Sequence, residues 1–335
     1  RAEINPMQYG TIVHYIFERF FGEYTKEEYL SLEEDKFQKI VCAYLEEYAV
    51  KYFGEEQLES NSFTYRLKTI LDNVMYLMKH IMEELSQSEF FVADCELKIG
   101  EDIPSYTIVL PDGHKIAVCG SVDRVDIMQR ADITYLRIID YKTGTKQFKL
   151  SDILYGINLQ MLLYLHSIEA SGGDKYGEIV PAGILYMPAT VPYISSDSLK
   201  SIDKLPDELN KKLKMNGLLL KDTEIIHGMD KTDVATYIPV KIKAGEPVSS
   251  TSLATLAEFG KIFKKVDMLI AEMGKNIYNG NIEAKPLKGG HDSCEYCPYD
   301  SVCAYRQSNP ITCFSVDNKT VIEEITNEIN GKEEE

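Results

Sequence analysis

The sequence predicts an α/β protein: a mixed central β-sheet flanked by helices, with a helical segment before it and a helical, cysteine-rich extension after it. Three observations predict this. Apolar residues recur at three- and four-residue spacing through residues 8 to 85, the period of an amphipathic helix. From about residue 90 the period changes to two, as strands require. A further helical stretch then precedes one more apolar strand at 179 to 187, so strands and helices alternate.

In chain order, Ile12, Tyr15, Ile16 and Phe20 begin the helical pattern, and Leu67, Ile70, Leu71, Val74, Leu77, Met78 and Ile81 continue it. Phe91, Ala93, Cys95 and Leu97 alternate with polar neighbours. Runs at 106–110 and 115–119, joined by Pro111-Asp112-Gly113, carry a hairpin signature. Strands are expected at 122–128 and 135–141, and Asp152 is expected to cap a long helix reaching about residue 168. Ser249 to Ser252 offer N-caps for a helix over 253–278 that Gly280 ends. The Glu-rich last dozen residues read as a frayed tail. The organisation is a helical segment (1–88), a core (89–195), a decorating insertion (196–252), a helix with the cysteine motif (253–320) and an acidic tail (321–335). There is no internal repeat.

Composition narrows the class. The chain has 335 residues, 44% hydrophobic and 27% charged, which is ordinary for a globular protein. No apolar run reaches the roughly 18 to 20 residues of a membrane span. The formal net charge of −17 argues against a general nucleic-acid coat protein, which needs a basic surface. Charge is unevenly placed, however. Lysines cluster at Lys142, Lys146 and Lys149, at Lys211, Lys212 and Lys214, and at Lys261, Lys264 and Lys265. A chain that opens with Arg1 directly into a helical pattern reads as a piece of something longer. Of seven cysteines, Cys42, Cys95, Cys119 and Cys313 are scattered singly, which points to a cytoplasmic protein rather than a disulfide framework.

The chemistry centres on Gly120-Ser-Val-Asp123-Arg-Val-Asp126 and Ile138-Ile-Asp140-Tyr-Lys142-Thr-Gly144. Residues two apart on a strand share a face, so Asp140 and Lys142 project side by side. Alone, Asp-x-Lys reads as an ion pair. One hairpin away, however, Asp123 follows a glycine, and two carboxylates converging from adjacent strands suit a hard cation such as Mg²⁺. The lysine can then orient or deprotonate a water and offset charge in the transition state of phosphodiester hydrolysis. His14 on the first helix, Glu96 on the first strand, and Gln160 with Tyr164 on one helix face are weaker signals singly, yet their order along the chain is informative. His80, His114, His166 and His227 have no partner at useful spacing, and Cys95 and Cys119 read as core.

These segments, with Gly10-xxx-His14, Lys212-Leu-Lys-Met-Asn-Gly217 and Gly280-x-Ile-x-Ala-x-Pro286, resemble the RecB-type branch of the PD-(D/E)xK nuclease superfamily, whose core is restriction-endonuclease-like. More narrowly they resemble the C-terminal nuclease domain of B subunits of AddAB-type helicase-nucleases, over residues 8 to 306. The resemblance implies His14, Asp123 and Asp140 as ligands of Mg²⁺ or Mn²⁺, helped by the main-chain carbonyl of Tyr141. It implies Lys142 as the catalytic lysine, and Gln160 and Tyr164 as residues that position DNA or the lysine. It further implies degradation of DNA ends in recombinational repair, an A subunit (AddA) that feeds single strands, and action on the strand ending 5′.

Cys294-Glu-Tyr-Cys297-Pro-Tyr-Asp-Ser-Val-Cys303 puts three thiolates at metal-ligand spacing. A zinc site would need a fourth ligand, for which His291 is poorly placed. The resemblance instead implies a [4Fe–4S] cluster completed by a cysteine far upstream. Cys42 and Cys313 do not match that pattern, so the expectation is an incomplete site in this chain. Two other readings are a standalone RecB-like nuclease, such as those of CRISPR adaptation, and an inactive nuclease fold that scaffolds DNA. Residues 211 to 220 argue against the first, and the intact Asp123, Asp140 and Lys142 against the second.

Overall fold

A computed structural model describes residues 4–194, 205–232, 234–249, 251–299, 301–303 and 310–333. The boundary expected at 195/196, Ser250, Glu334 and Glu335 lie outside the described residues. The amino-terminal helical region comprises α1 (Pro6–Glu23), α2 (Lys26–Leu30), α3 (Glu34–Phe53), α4 (Glu55–Leu58) and α5 (Asn61–Gln87). The first strands are β1 (Phe91–Ile99), β2 (Tyr106–Val109), β3 (Lys115–Val118), β4 (Gly120–Arg130) and β5 (Ile133–Lys142). Next come α6 (Gln160–Ser171), α7 (Gly173–Tyr176), β6 (Glu178–Pro188), α8 (Leu205–Leu213), β7 (Asn216–Leu220) and α9 (Thr223–Met229). The chain ends with β8 (Lys241–Lys243), β9 (Glu246–Val248), β10 (Leu253–Ala254), α10 (Leu256–Tyr278), β11 (Leu287–Gly289), β12 (Ile311–Cys313) and α11 (Asn318–Glu333).

The central sheet has the order β1-β4-β5-β6-β7-β10. It is mixed, as expected: β1, β4 and β5 form an antiparallel meander, β5 and β6 run parallel, and β7 returns antiparallel to β6. The parallel step is possible because α6 carries the chain back across the sheet. Helix α1 buries Ile12, Val13, Ile16, Phe17, Phe20 and Phe21, a stripe at helical period, with Phe17 against Tyr141 of β5 and Phe20 against Tyr29 of α2 and Phe37 of α3. The Asn5–Gln8 capping box and Pro6 in the first turn fix where α1 starts.

Several expectations are corrected. Asp152 does not cap a long helix; it lies in a 3₁₀ turn, Leu150–Tyr155, and accepts a hydrogen bond from Asn158 at 2.6 Å. Gly156 (φ +67°) and Asn158 (φ +54°) break the helical path, so α6 starts only at Gln160. The cap of α10 is Thr255, in a capping box with Glu258, and not the serines before it. Leu253 and Ala254 pair with β7 instead, because an extended segment at the sheet edge satisfies its own backbone groups there. Strand β7, inside the stretch read as decoration, belongs to the central sheet. Gly217 allows this: a Cβ there would stand 2.0 Å from the Ile184 carbonyl oxygen. The tail is not frayed. Helix α11 buries Val321 and Ile325 completely, and Lys265 of α10 pairs with Glu328 at 2.5 Å. Cys119 is exposed rather than in the core. Among the described residues, no helix is long and apolar enough to cross a membrane.

Candidate active site

Strand alternation sorts the Gly120–Asp126 and Ile138–Lys142 segments onto two faces. The ladder between β4 and β5 pairs Arg124 with Ile139 and Asp126 with Arg137. One step further, Asp123 stands opposite Asp140, on the face that also carries Lys142. There the strands part, and the Asp123 carboxylate takes the place of a backbone acceptor. Its Oδ2 accepts the Tyr141 amide hydrogen at 2.8 Å.

His14 reaches this strand end from α1, one turn beyond Gly10, which packs against Thr143. Its Nε2 lies 3.2 Å from the Tyr141 carbonyl oxygen, while Nδ1 is 3.5 Å from Asp123 and 3.7 Å from Glu96. Burial lowers the His14 pKa, but the bond to Glu96, the charge of Asp123 and the Tyr141 carbonyl outweigh it, and the net shift is upward. Burial pushes the Asp123 carboxyl up to about 6, with the His14 charge opposing and that of Asp140 adding. The His14 bond holds the Glu96 carboxyl below its ordinary value, against burial, with help from the Ser121 hydroxyl at 2.8 Å.

The ligand atoms of His14, Glu96 and Asp123 lie within 4.8 Å of one another, the only such group of three among the described residues. One imidazole and two carboxylates beside a main-chain carbonyl are donors that could hold a hard divalent cation. Glu96 stands out in the sequence as a charged residue on a strand, yet it lies outside the ligand set that the sequence leads one to expect. The β1–β4 register explains its position: Cys95 pairs with Arg124 and Leu97 with Val122, which sets Glu96 opposite Asp123, with its own backbone at φ +50°. Asp140 is outside this donor set. Its carboxylate pairs with Lys142 at the same strand end, where Asp140 is 7% exposed.

Gln160 and Tyr164 are together on α6, with the Gln160 amide nitrogen 3.5 Å from the Tyr164 hydroxyl. That hydroxyl occupies the space a side chain at position 120 would need: a Cβ on Gly120 would stand 2.1 Å from it. The glycine three residues before Asp123 is therefore an opening for Tyr164.

Behind the sheet, Arg124, Asp126, Arg137 and Glu84 form a fully buried charge network. Arg124 Nη2 donates to Asp126 at 2.8 Å, Arg137 Nε to Asp126 at 3.0 Å, and Arg137 Nη2 to Glu84 at 2.7 Å. Arg124 Nη1 also reaches the Tyr141 hydroxyl at 3.3 Å, so the network braces the residue whose amide and carbonyl face Asp123 and His14. The Arg124 and Asp126 of the motif are thus supports, on the face opposite the site.

The three cysteines form no single-ion site among the described residues. Cys294 and Cys297 are half-buried and Cys303 is exposed. His166, expected to lack partners, has three: Glu169 at 3.4 Å, the Tyr106 hydroxyl at 3.2 Å and Asp267 at 3.2 Å. Glu169, three residues on, is the local signal for this.

A mixed sheet whose parting strands present Asp123, Asp140 and Lys142 beside a helix-borne histidine defines a nuclease-type α/β core. The chain belongs to the PD-(D/E)XK nuclease superfamily, whose family model matches residues 1–304. It is similar to curated proteins named as the B subunit of an ATP-dependent helicase/deoxyribonuclease. The one from Alkaliphilus oremlandii is 32% identical over 95% of this chain and 29% of its own length. That from Ruminiclostridium cellulolyticum is 32% identical over 93% of this chain and 28% of its own length. That from Thermoanaerobacter sp. strain X514 is 38% identical over 72% of this chain and 21% of its own length. The chain thus spans less than a third of the length of each of these relatives.

Proposed function

We propose that this nuclease domain hydrolyses DNA phosphodiester bonds with a divalent cation, as part of a helicase-nuclease that processes DNA ends in recombinational repair. The convergence of His14, Glu96 and Asp123 donor atoms within 4.8 Å, at the strand end that carries Asp140 and Lys142, is the observation that supports it most. A bound Mg²⁺ or Mn²⁺ would polarise the scissile phosphate and supply counter-charge. The residues do the rest. Asp123, held by the Tyr141 amide, and Glu96, held by Ser121, present oxygens whose direction is set before any cation arrives. Lys142, oriented by Asp140, sits where an ammonium can order the attacking water and neutralise developing phosphate charge. Tyr164 and Gln160 position the strand or the lysine from the α6 side.

The subunit designation in the relatives' names supports a partner subunit; the resemblance to AddAB-type enzymes would make it an A subunit that delivers a single strand, with the strand ending 5′ falling to this domain. In the whole assembly, Cys294, Cys297 and Cys303 would serve a [4Fe–4S] staple, apart from the hydrolytic step. The test is Mg²⁺-dependent degradation of single-stranded DNA by the wild type beside Asp140→Ala, with calorimetric Mn²⁺ titration of both and of Asp123→Ala. Degradation by the wild type alone, with cation binding lost in Asp123→Ala, is expected. Equal degradation by both, or no degradation and no cation binding by the wild type, overturns the reading in favour of a DNA-binding scaffold.

A further inference from the structure

Beyond Lys142 the molecule opens into a groove of about 840 Å³ whose lining has an unusual charge balance. Five lysines face it, Lys142, Lys146, Lys211, Lys212 and Lys214, and no Asp or Glu is among its described lining residues. In a chain of net charge −17 such a surface is not what average composition produces. Low-dielectric walls of one sign concentrate the opposite charge, so the groove selects an extended polyanion.

Its floor is built. Lys142 and Lys146 both lie over the ring of Tyr186, at 5.7 and 5.1 Å from its centroid. Tyr186 is 3% exposed, so it acts as a platform for two ammonium groups and not as a stacking surface. The Asp140 carboxylate pairs with Lys142. The Lys146 loop is fixed from below by Asn216, which donates to the Lys146 carbonyl at 3.0 Å and accepts from the Phe148 amide at 2.7 Å. At the rim, Lys212 donates to the Tyr193 carbonyl at 2.8 Å, and the Tyr193 ring is 84% exposed, with a face free to stack a base. Lys211 pairs with Glu208 at 2.7 Å, a solvent-exposed ion pair that a phosphate can displace at little cost. Lys214 is committed to the carbonyls of Ala235 and Val240, which makes it a strut.

We propose that this groove carries the single strand on one side of the cleaved bond, with Lys146, Lys211 and Lys212 on successive backbone phosphates and Tyr193 against a base. The assignment rests on the nuclease reading above and extends it to residues outside the hydrolytic centre. A basic groove with an aromatic rim binds single strands with little sequence preference, because every nucleotide has a phosphate and a π-face.

The experiment is equilibrium binding of fluorescent oligothymidylate to the full chain in EDTA over a series of KCl concentrations, by anisotropy. Wild type is compared with Lys146→Gln, Lys146→Arg, and the double variant Lys211→Gln/Lys212→Gln. The salt slope is expected to fall by about 0.7 for each lysine removed, with affinity roughly three- to tenfold weaker per lysine, and Lys146→Arg is expected to stay near the wild type. Circular dichroism and melting temperature show that each variant is folded. Unchanged affinity and slope in both Gln variants, or no binding by the wild type, overturns the proposal. Cleavage assays on the same preparations separate the two readings. Binding loss in the variants without Mg²⁺-dependent cleavage by the wild type leaves the groove standing and removes the hydrolysis. Cleavage with unchanged binding does the reverse.

Discussion

The carboxylate of Asp123 accepts a hydrogen bond from the amide of Tyr141 at 2.8 Å, so a side chain extends the β4–β5 ladder one step past its last backbone pair. The backbone of Tyr141 therefore serves the site twice, through the two peptide units that flank its Cα. Its amide fixes Asp123, and the Tyr141 carbonyl faces His14 at 3.2 Å.

Asp123→Asn keeps an acceptor for that amide but loses the charge, whereas Asp123→Ala loses both. Single-turnover cleavage is expected to fall by about 10³-fold or more in each. Only the alanine variant should also lose stability, by about 1 kcal/mol, in urea denaturation. Equal stability of the two variants would show that the hydrogen bond carries no weight.

Glu96 holds its place at φ +50°, which costs a residue with a Cβ about 1 kcal/mol. Glu96→Gln and Glu96→Gly are both expected to bind Mn²⁺ at least about tenfold more weakly. The glycine variant should melt no lower than the glutamine one, since glycine tolerates the backbone. Cation affinity equal to the wild type would remove Glu96 from the ligand set.

A methyl group at position 120 would displace the Tyr164 ring. Gly120→Ala is expected to cost about 1–3 kcal/mol by overpacking and to lower the cleavage rate. Adding Tyr164→Leu should restore the melting temperature without restoring the rate. Recovery of both would reduce Tyr164 to packing.

The buried network beneath the sheet leaves two guanidinium groups dependent on two carboxylates. Asp126→Ala strands Arg124 and Arg137 and should destabilise the fold by about 3–5 kcal/mol in urea, with an unchanged denaturant slope. A loss under about 1 kcal/mol would mean that Glu84 compensates alone.

His166 gives a pH signature. Burial lowers its pKa, but Asp267 and Glu169 raise it further, to about 9. A raised folded pKa stabilises fully below the unfolded value of about 6.5, and that stabilisation is lost as pH rises through 9. Melting temperature should therefore fall between about pH 6.5 and 9.5, and fall less in His166→Asn. Parallel curves for the two proteins would exclude the imidazolium as the cause.

Amino-acid order alone makes legible whatever depends on neighbours along the chain. Helical period placed α1 and α5, alternation placed β1, β4 and β5, and the two-residue spacing of Asp140 and Lys142 put them on one face, because local stereochemistry alone sets these. The tertiary structure decided which groups meet across long separations. It set Glu96 across from Asp123 and beside His14, set Tyr164 over Gly120, and put β7 in the sheet by way of Gly217. It also packed α11 on α10, where composition alone suggested a loose tail, and gave His166 its partners Asp267 and Tyr106. Each is a contact between distant segments, held by packing and charge that no local pattern encodes.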